Sequence, residues 1–441
     1  MDSKKKSEAD LFSLSGIPSL KKAIPLSLQH VLAAVVGIVT PAIMVAHVCN
    51  LSKPDEVLLV QSALLISAVC TFLQCLPIFG PIGSRLPVVF GTSFAYVPTL
   101  LALGGEFGIA SIFGAQACGA LVAVLFGIFI KQLHPLFPPI VAGTVVFSIG
   151  LSLYPTAVGY MAGGNGSADF GSAKNWIVAL FTLAVVLAVT FFTKGILKLS
   201  ALLCGILAGY GLSCALGMVS FAGLSEAGFV SLPRFLPFGM QFDVTAIITM
   251  AVLVLVNSVQ AVGDFTATTT GGLDREPTDK ELSGGNIASG LGNFIGAFFG
   301  GLPTASYSQN VGLVATTRVV NRAVIAIAAG IIALAGLFPK IGFILTTVPP
   351  AVLGGATISV FSSIAMTGIK VLTSEHLTAR NVAVAGISVA LGSGLVQVAG
   401  CLSGLPTWVT TVFGTSPVTA TALLAILLNL ILPKEAATPE K

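Results

Sequence analysis

The chain has 441 residues, of which 55% are hydrophobic and only 9% are charged. A soluble domain carries roughly 25% charged residues, so the composition excludes an ordinary soluble protein and indicates a polytopic membrane protein. The net charge of +4 comes from basic residues spread over many loops, and no nucleic-acid partner is predicted. The seven cysteines lie mostly inside apolar runs and form no CxxC pair, so we predict no disulfide framework and no metal site.

Intervals without a charged residue give the number of membrane spans. The sequence contains twelve such intervals, each with enough residues for one span. Two of them, 282–317 and 381–433, are long enough for two segments each. The chain is therefore predicted to be all-α, with 14 transmembrane segments.

The basic residues indicate the orientation, because cytoplasmic loops are rich in Lys and Arg. Placing the N-terminus in the cytoplasm puts nearly all basic residues inside. The exceptions are Lys53, Lys174, Arg234 and Lys340. We therefore expect a protein of the cell inner membrane with both termini in the cytoplasm. Both terminal tails, including residues 1–20, are expected to be disordered.

The stretch 300–318, GGLPTASYSQNVGLVATTR, departs most from an ordinary membrane span. A glycine pair and a proline break the helix, and the residues up to Tyr307 favour a short extended piece. Ser308 or Asn310 is predicted to cap a new half-helix that runs to the end of the stretch. Such breaks occur only inside protein or along a cavity, so we predict a polar recognition site near the midplane. The alternative is a kinked structural span.

An internal repeat relates the two halves of the chain. Leu-Pro at 86–87 recurs at 302–303, and PPxVxG at 138–143 recurs at 349–354. Two halves of seven spans must have opposite topology, because seven is odd. The pattern predicts a 7+7 inverted repeat, with the binding site where the halves meet.

The repeat predicts a second broken segment at 86–103, LPVVFGTSFAYVPTLLAL. It carries small and polar residues followed by the aromatic residues Phe94 and Tyr96. We therefore expect short extended pieces in segments 3 and 10 that cross at mid-membrane. One offers amide side chains and the other an aromatic face, a combination that suits a flat, hydrogen-bonding ring; core packing is the alternative for Phe94.

The chain resembles the nucleobase–ascorbate transporter family in four motifs. The family signature of the tenth span is complete as QNVGLVATTR at 309–318. Gln-His at 29–30, VQAVGD at 259–264 and GTSFAY at 91–96 match three further family motifs. The resemblance covers roughly residues 20–432. It implies a homodimer and an elevator-like movement of a core domain against a gate domain.

The resemblance also implies domain boundaries. The core domain consists of spans 1–4 and 8–11, and the gate domain consists of spans 5–7 and 12–14. The predicted divisions are a tail at 1–22, core at 23–131, gate at 132–240, core at 241–340, gate at 341–433 and a tail at 434–441.

The substrate site is predicted on the two broken segments and the eighth span. We expect Gln309 to hydrogen-bond the edge of the base, Gln260 to bind its opposite edge and Phe94 to stack on the ring. Asn310 either binds directly or locks the half-helix. The predicted substrate-binding residues are Gln260, Gln309, Asn310, Phe94, Ser93, Ala95 and Ser308.

Two acidic residues common in the family are missing. Gln260 stands where most members have a glutamate, and Ser289 stands where some purine-transporting relatives have an aspartate. Asp264, four residues after Gln260, is the one acidic residue well inside a predicted span. By elimination we expect it to carry the coupling proton, with a fixed hydrogen-bond acceptor as the alternative. His30, next to Gln29, is expected to tie the first span to the eighth through a hydrogen-bond network.

The sequence thus predicts a proton symporter that imports a nucleobase, a purine of the xanthine, uric acid, hypoxanthine or guanine type. A uracil carrier, a sodium-coupled or uncoupled carrier and an anion exchanger on the same scaffold are the alternatives. No HExxH or GxSxG motif is present, so an enzyme is not predicted. The expected partners are the nucleobase, the lipid bilayer and a second copy of the chain, with no cofactor besides the coupling ion.

Overall fold

A computed structural model describes residues 10–76, 80–133, 137–225, 228–398, 400–414 and 416–433. Within these ranges the regular secondary structure is helical apart from two three-residue strands. Eight helices are long and apolar enough to cross a membrane, or nine if one bent helix pair counts as a span. The prediction of a multi-pass helical membrane protein is confirmed, whereas the number of fourteen segments stays a prediction.

The elements of the first half begin after a short 3-10 helix, Asp10–Phe12. They are α1 (Leu20–Val48), α2 (Lys53–Cys75), β1 (Phe90–Thr92), α3 (Val97–Phe107), α4 (Ile109–Ile128), α5 (Ile130–Leu133), α6 (Pro139–Met161), α7 (Ala173–Phe192), α8 (Gly195–Leu199) and α9 (Ala201–Ala215).

The second half again contains one strand followed by a short helix. Its elements are α10 (Val244–Leu273), α11 (Asp279–Phe298), β2 (Thr304–Ser306), α12 (Ser308–Thr317), α13 (Arg322–Leu337), α14 (Pro339–Thr346), α15 (Pro350–Leu372), α16 (Ala379–Gln397), α17 (Thr407–Gly414) and α18 (Pro417–Ile431).

Local sequence explains where several helices begin. The hydroxyl of Ser52 accepts a hydrogen bond from the Asp55 amide at the start of α2, and Asp243 accepts two amides at the start of α10. Thr278 and Glu281 form a capping box at the start of α11. Each cap satisfies amide groups that have no partner inside the helix.

The two strands pair antiparallel, with Gly91 opposite Ala305 and Thr92 opposite Thr304. The extended pieces predicted in both broken segments are therefore present and in contact. The chain enters β2 through Gly300, whose φ of 70° lies in the left-handed region that glycine adopts without strain. Gly91 also leaves room for the Tyr307 ring, because a Cβ there would lie 2.9 Å from it.

Side chains from flanking helices satisfy the outer edges of this two-stranded sheet. Thr71 of α2 both donates to the Phe90 carbonyl and accepts from the Phe90 amide, each at 3.0 Å. On the other edge, Asn293 of α11 pairs with Thr304. Because an unpaired backbone group costs several kcal/mol in an apolar interior, these side chains allow strands to exist at this depth.

The helices fall into two groups by their most extensive contacts. The helices that pack around the strand pair are α1, α2, α3, α4, α10, α11, α12 and α13. The helices of the second group are α6, α7, α9, α15, α16 and α18. Contacts between the groups include the Phe94 and Phe361 rings, 5.3 Å apart, and a hydrogen bond between Thr99 and Ser416.

Glycines allow α6 and α15 of the second group to pack closely. A Cβ on Gly150 of α6 would lie 2.5 Å from the Ala365 amide nitrogen of α15. Gly143 and Gly354, the glycines of the two PPxVxG patterns, meet the backbone of the opposite helix in the same way. The repeated pattern in the sequence therefore marks a close helix–helix contact.

The N-terminal segment is ordered where disorder was expected. Residues 10–16 precede α1 and pack on the loop that joins α12 to α13, with Leu11 only 7% exposed. The Val320 amide donates to the Leu11 carbonyl at 3.1 Å. The expectation of a disordered tail across residues 1–20 is therefore wrong for this segment, because its apolar side chain has a partner that is remote in the sequence.

Candidate functional site

The half-helix α12 starts directly after the strand pair. Tyr307 occupies the capping position, and no side chain caps the helix. The prediction that Ser308 or Asn310 caps it is wrong, since both lie inside the first turn and their side chains bond elsewhere. Among the described residues, the amides of Ser308, Gln309 and Asn310 have no acceptor. Three unpaired N–H groups and the positive end of the helix dipole favour a hydrogen-bond acceptor there.

Two glutamines lie on the elements that meet near this helix start, one on α10 and one on α12. Gln309 is exposed and Gln260 of α10 is half-buried. In the part of the chain that the structure describes, neither amide makes a hydrogen bond. A Cβ on Gly263 or Gly312 would meet no atom within 4 Å, so both helices present an open face beside these amides.

Asp264 joins α10 to the strand and the half-helix. Its carboxylate accepts hydrogen bonds from the hydroxyls of Ser306 in β2 and Ser308 in α12, the latter at 2.8 Å. Gln260 lies one helical turn before Asp264, and Gln309 directly follows Ser308. Because Asp264 and Ser308 are hydrogen-bonded, the two unbonded amides lie on nearby turns of α10 and α12. Asp264 itself is 7% exposed.

His30 joins α1 to α12. The Asn310 side-chain nitrogen lies 3.0 Å from His30 Nδ1 and donates to the His30 carbonyl at 3.1 Å. Because an amide nitrogen can only donate, this orientation makes Nδ1 an acceptor and leaves the ring proton on Nε2. The expected link from His30 to the eighth span is instead a link to the half-helix. Gln29 is half-buried beside it.

The side chain of Asn310 is fully buried, with 0% exposure. It faces α1 rather than the open face that Gln309 shares. Of the two roles predicted for Asn310, this geometry is that of a residue that locks the half-helix.

The residues predicted on the third span are covered. Phe94 is 7% exposed and meets Phe361 of α15 edge to face. The Ser93 hydroxyl accepts from the Ala95 amide at 3.2 Å, so this amide is already paired. The structure joins Ser308 to Asp264 and leaves Gln260 and Gln309 without a hydrogen bond on α10 and α12. Ser93, Phe94 and Ala95 are buried, and Phe94 contacts the second helix group.

Sequence reasoning missed the residues that hold the strands. Asn293 accepts from the Thr304 amide at 2.7 Å and hydroxyl at 2.9 Å, and donates to the Thr304 carbonyl at 3.1 Å. Ser67 accepts from the Thr92 amide, one turn before Thr71 on the same face of α2. Polar residues four apart in an apolar helix were the available signal, but they do not reveal their partners.

Two cavities lie away from these amides. One of about 400 Å³ opens between the end of α3 and the segment after α16, and Glu106 and Cys401 are among its lining residues. The other, of about 130 Å³, lies between α1, α9 and the start of α15 and has a mostly apolar lining. Neither includes Gln260 or Gln309, so the half-helix geometry, rather than cavity size, identifies the candidate site.

Curated relatives cover nearly the whole chain. The xanthine permease of Bacillus subtilis is 35% identical over 415 residues, which cover 93% of each protein. The uric acid permease PucJ of the same organism is 36% identical over 93% of this chain and 92% of its own. The xanthine permease XanQ of Escherichia coli K12 is 32% identical over 96% of this chain and 94% of its own. These relatives are transporters, so the exclusion of an enzyme is confirmed.

Solved structures share the fold. The transmembrane domain of the cyanobacterial bicarbonate transporter BicA has a TM-score of 0.60 at 14% identity, with 92% of this chain and 97% of that one covered. SLC26A9 has a TM-score of 0.62 at 12% identity, with 94% of this chain and 66% of that one covered. A model of the Permease family matches residues 21–401. With the complete QNVGLVATTR signature on the half-helix, the chain belongs to this family of permeases, the nucleobase–ascorbate transporters.

Proposed function

We propose that the protein imports a purine nucleobase across the plasma membrane by proton symport. The observation that carries the proposal is the pair of unbonded amides, Gln260 and Gln309, beside the three free N–H groups that begin α12. A purine such as xanthine or uric acid presents carbonyl and N–H groups around a flat ring. An amide side chain both donates and accepts, so two of them match such an edge. The names of the curated relatives support the same substrate class.

The proposed transport cycle moves the helix group around the strand pair against the second group, as in an elevator. Phe94 supports this, because its ring is closed against Phe361 of the second group and becomes available for stacking only when the groups separate. The Thr99–Ser416 hydrogen bond crosses the same boundary at 3.1 Å and must break in such a movement. The 7+7 inverted repeat belongs to this proposal, as do the homodimer and the cytoplasmic placement of both termini.

Coupling is proposed to run through Asp264. As a carboxylate it accepts from Ser306 and Ser308, and both bonds hold the start of α12. A proton on one carboxyl oxygen turns that oxygen into a donor, so the serine hydroxyl bonded to it must rotate to accept or move away. Protonation of Asp264 would thereby alter the position of the turn that carries Gln309, which links proton binding to substrate binding.

Substrate binding is tested with purified protein and a thermal-shift panel of xanthine, uric acid, uracil and sulfate at two pH values. We expect stabilisation by a purine and none by sulfate. Gln309→Ala should abolish this stabilisation, while Gln397→Ala, an exposed amide in α16, should retain it. Stabilisation by sulfate alone, or an unchanged purine response in Gln309→Ala, would refute the proposed site.

Coupling is tested in proteoliposomes. Asp264→Asn should still exchange internal for external substrate but lose accumulation driven by a pH gradient. A variant that still concentrates substrate would exclude Asp264 as the proton carrier. Replacing sodium by choline in the wild-type assay separates proton symport from a sodium-coupled carrier, since only the latter stops.

A further inference from the structure

The N-terminal segment at residues 10–16 contacts the loop that follows the half-helix carrying Gln309. α12 ends at Thr317, and Arg318 then turns the chain with a φ of 56°. The residues that follow run beneath the N-terminal segment, where Val320 is fully buried. This segment lies outside the site described above, and no role in transport has been assigned to it.

Three backbone carbonyls of the segment accept hydrogen bonds from this loop and from the first residue of α13. The Leu11 carbonyl accepts from the Val320 amide at 3.1 Å. The Leu14 carbonyl accepts from Arg322 Nε at 2.9 Å, and the Gly16 carbonyl accepts from the Asn321 side chain at 3.3 Å. All three acceptors belong to the N-terminal segment, and the three donors are consecutive residues, 320–322, at the end of the loop and the start of α13.

Leu11 adds an apolar contact to these bonds. It packs with Ala23 of α1, Val319 of the loop and Val324 of α13, all of them buried. Its neighbour Phe12 is 58% exposed, so the segment turns one apolar side chain inward and the next one outward. The inward contact joins the start of α1, the loop after α12 and the start of α13 in one cluster.

A helix as short as α12 depends on what holds its ends. Ten residues are too few for a stable isolated helix in water, so packing determines where it sits. Asp264 holds its first turn, His30 holds Asn310, and the loop after Thr317 holds its last turn. A ten-residue helix is about 15 Å long, so a tilt of about 4° about one end displaces the other by about 1 Å.

From these contacts we infer that Leu11 is a positioning residue for the substrate site, because it fixes the end of α12 and thereby the location of Gln309. The inference rests on the proposed function for the identity of the substrate. The positioning of α12 by Leu11 rests on the contacts alone. Loss of the contact lowers the fraction of molecules with α12 in place. A protein with that fraction reduced to about a tenth binds substrate about tenfold more weakly.

The test uses the full chain with Leu11→Asp, which places a charge in the buried contact, and Leu11→Ala as a milder variant. Phe12→Asp is the matched control, since it adds the same charge one residue away on the exposed side. Two quantities are measured: hydrogen exchange of the amides in 308–320 without substrate, and the Kd for xanthine and uric acid.

We expect faster exchange in 308–320 and roughly tenfold weaker purine binding in Leu11→Asp, with a smaller effect of the same kind in Leu11→Ala. Hydrogen exchange within α15, in the other helix group, should stay at the wild-type rate. In Phe12→Asp, both the exchange in 308–320 and the purine Kd should equal the wild-type values. Unchanged exchange in 308–320, an unchanged Kd, or an increase that extends equally to α15 would overturn the inference. If wild-type protein binds no purine, the proposed function fails, and the exchange pattern alone decides the role of Leu11.

Discussion

Asn293 gives the sharpest quantitative test of how the site is held. It lies in α11 and is 2% exposed. Among the described residues, its side chain forms hydrogen bonds with Thr304 of β2 alone. In Asn293→Ala, the Thr304 amide and carbonyl both lose their partner, while the Thr304 hydroxyl keeps Cys70 Sγ at 3.3 Å. β1 pairs with the opposite edge of β2, and among the described residues the Thr304 amide and carbonyl have Asn293 as their hydrogen-bond partner.

The cost follows from the number of orphaned groups. Each buried backbone group left without a partner costs about 1–3 kcal/mol, so two groups give about 2–6 kcal/mol. Part of this loss is relieved by local movement of β2, which continues directly into α12 and Gln309. If about 1.4–2.8 kcal/mol of this loss weakens the free energy of substrate binding, the Kd rises by roughly 10- to 100-fold.

The assay compares Asn293→Ala with Asn286→Ala in purified protein, by titration with xanthine and uric acid. Asn286 lies on the same helix and is equally buried, but its side chain donates only to the Leu282 carbonyl of its own helix. Its removal should change the Kd less than about threefold. Wild-type affinity in Asn293→Ala, or equal losses in the two variants, would falsify the strand-edge argument.

Three further substitutions test separate features. Tyr307→Phe removes the hydroxyl that donates to the Thr92 carbonyl at 2.5 Å, so we expect the free energy of unfolding to fall by about 1–3 kcal/mol. The measurements are a lower midpoint of thermal unfolding and weaker purine binding. Gly150→Val should sharply reduce the yield of folded protein in gel filtration, because α6 and α15 are forced apart, while Gly386→Val, with no atom near its Cβ, should not. Asp274→Asn breaks an exposed ion pair with Arg318 that is worth at most about 1 kcal/mol, so the purine Kd should change less than about fivefold; a larger change would show that this pair positions α12.

Much of the site was accessible from local sequence rules. The glycine pair and proline before Thr304 predicted both the break and the strand, and the repeat located its partner at Phe90–Thr92. Those features depend on backbone preferences that a few adjacent residues express. The start of α12 was located correctly, but its capping residue was not, because Ser308 bonds to Asp264 of another helix.

What could not be predicted are contacts between segments remote in the sequence. The partner of His30, the role of Asn293 and the burial of Leu11 all depend on which helix lies opposite. The number of fourteen segments stays a prediction, since charge-free intervals measure apolar length and do not distinguish a full helix from a half-helix paired with a strand. Hydrophobic and charge patterns specify that a segment is buried without naming its neighbour.

The strand pair also has a consequence for biosynthesis. Thr92 and Tyr307, which bond across it, are 215 residues apart. At a synthesis rate of about 5–20 residues per second, β1 waits for about 10–40 seconds before its partner leaves the ribosome. During that interval Ser67 and Thr71 protect only one edge of β1, so the nascent chain must keep the other edge away from lipid. Assembly of this permease is therefore expected to require that the translocation machinery keeps the unpaired edge of β1 away from lipid. Slowing translation across residues 93–303 should then increase degradation of the protein.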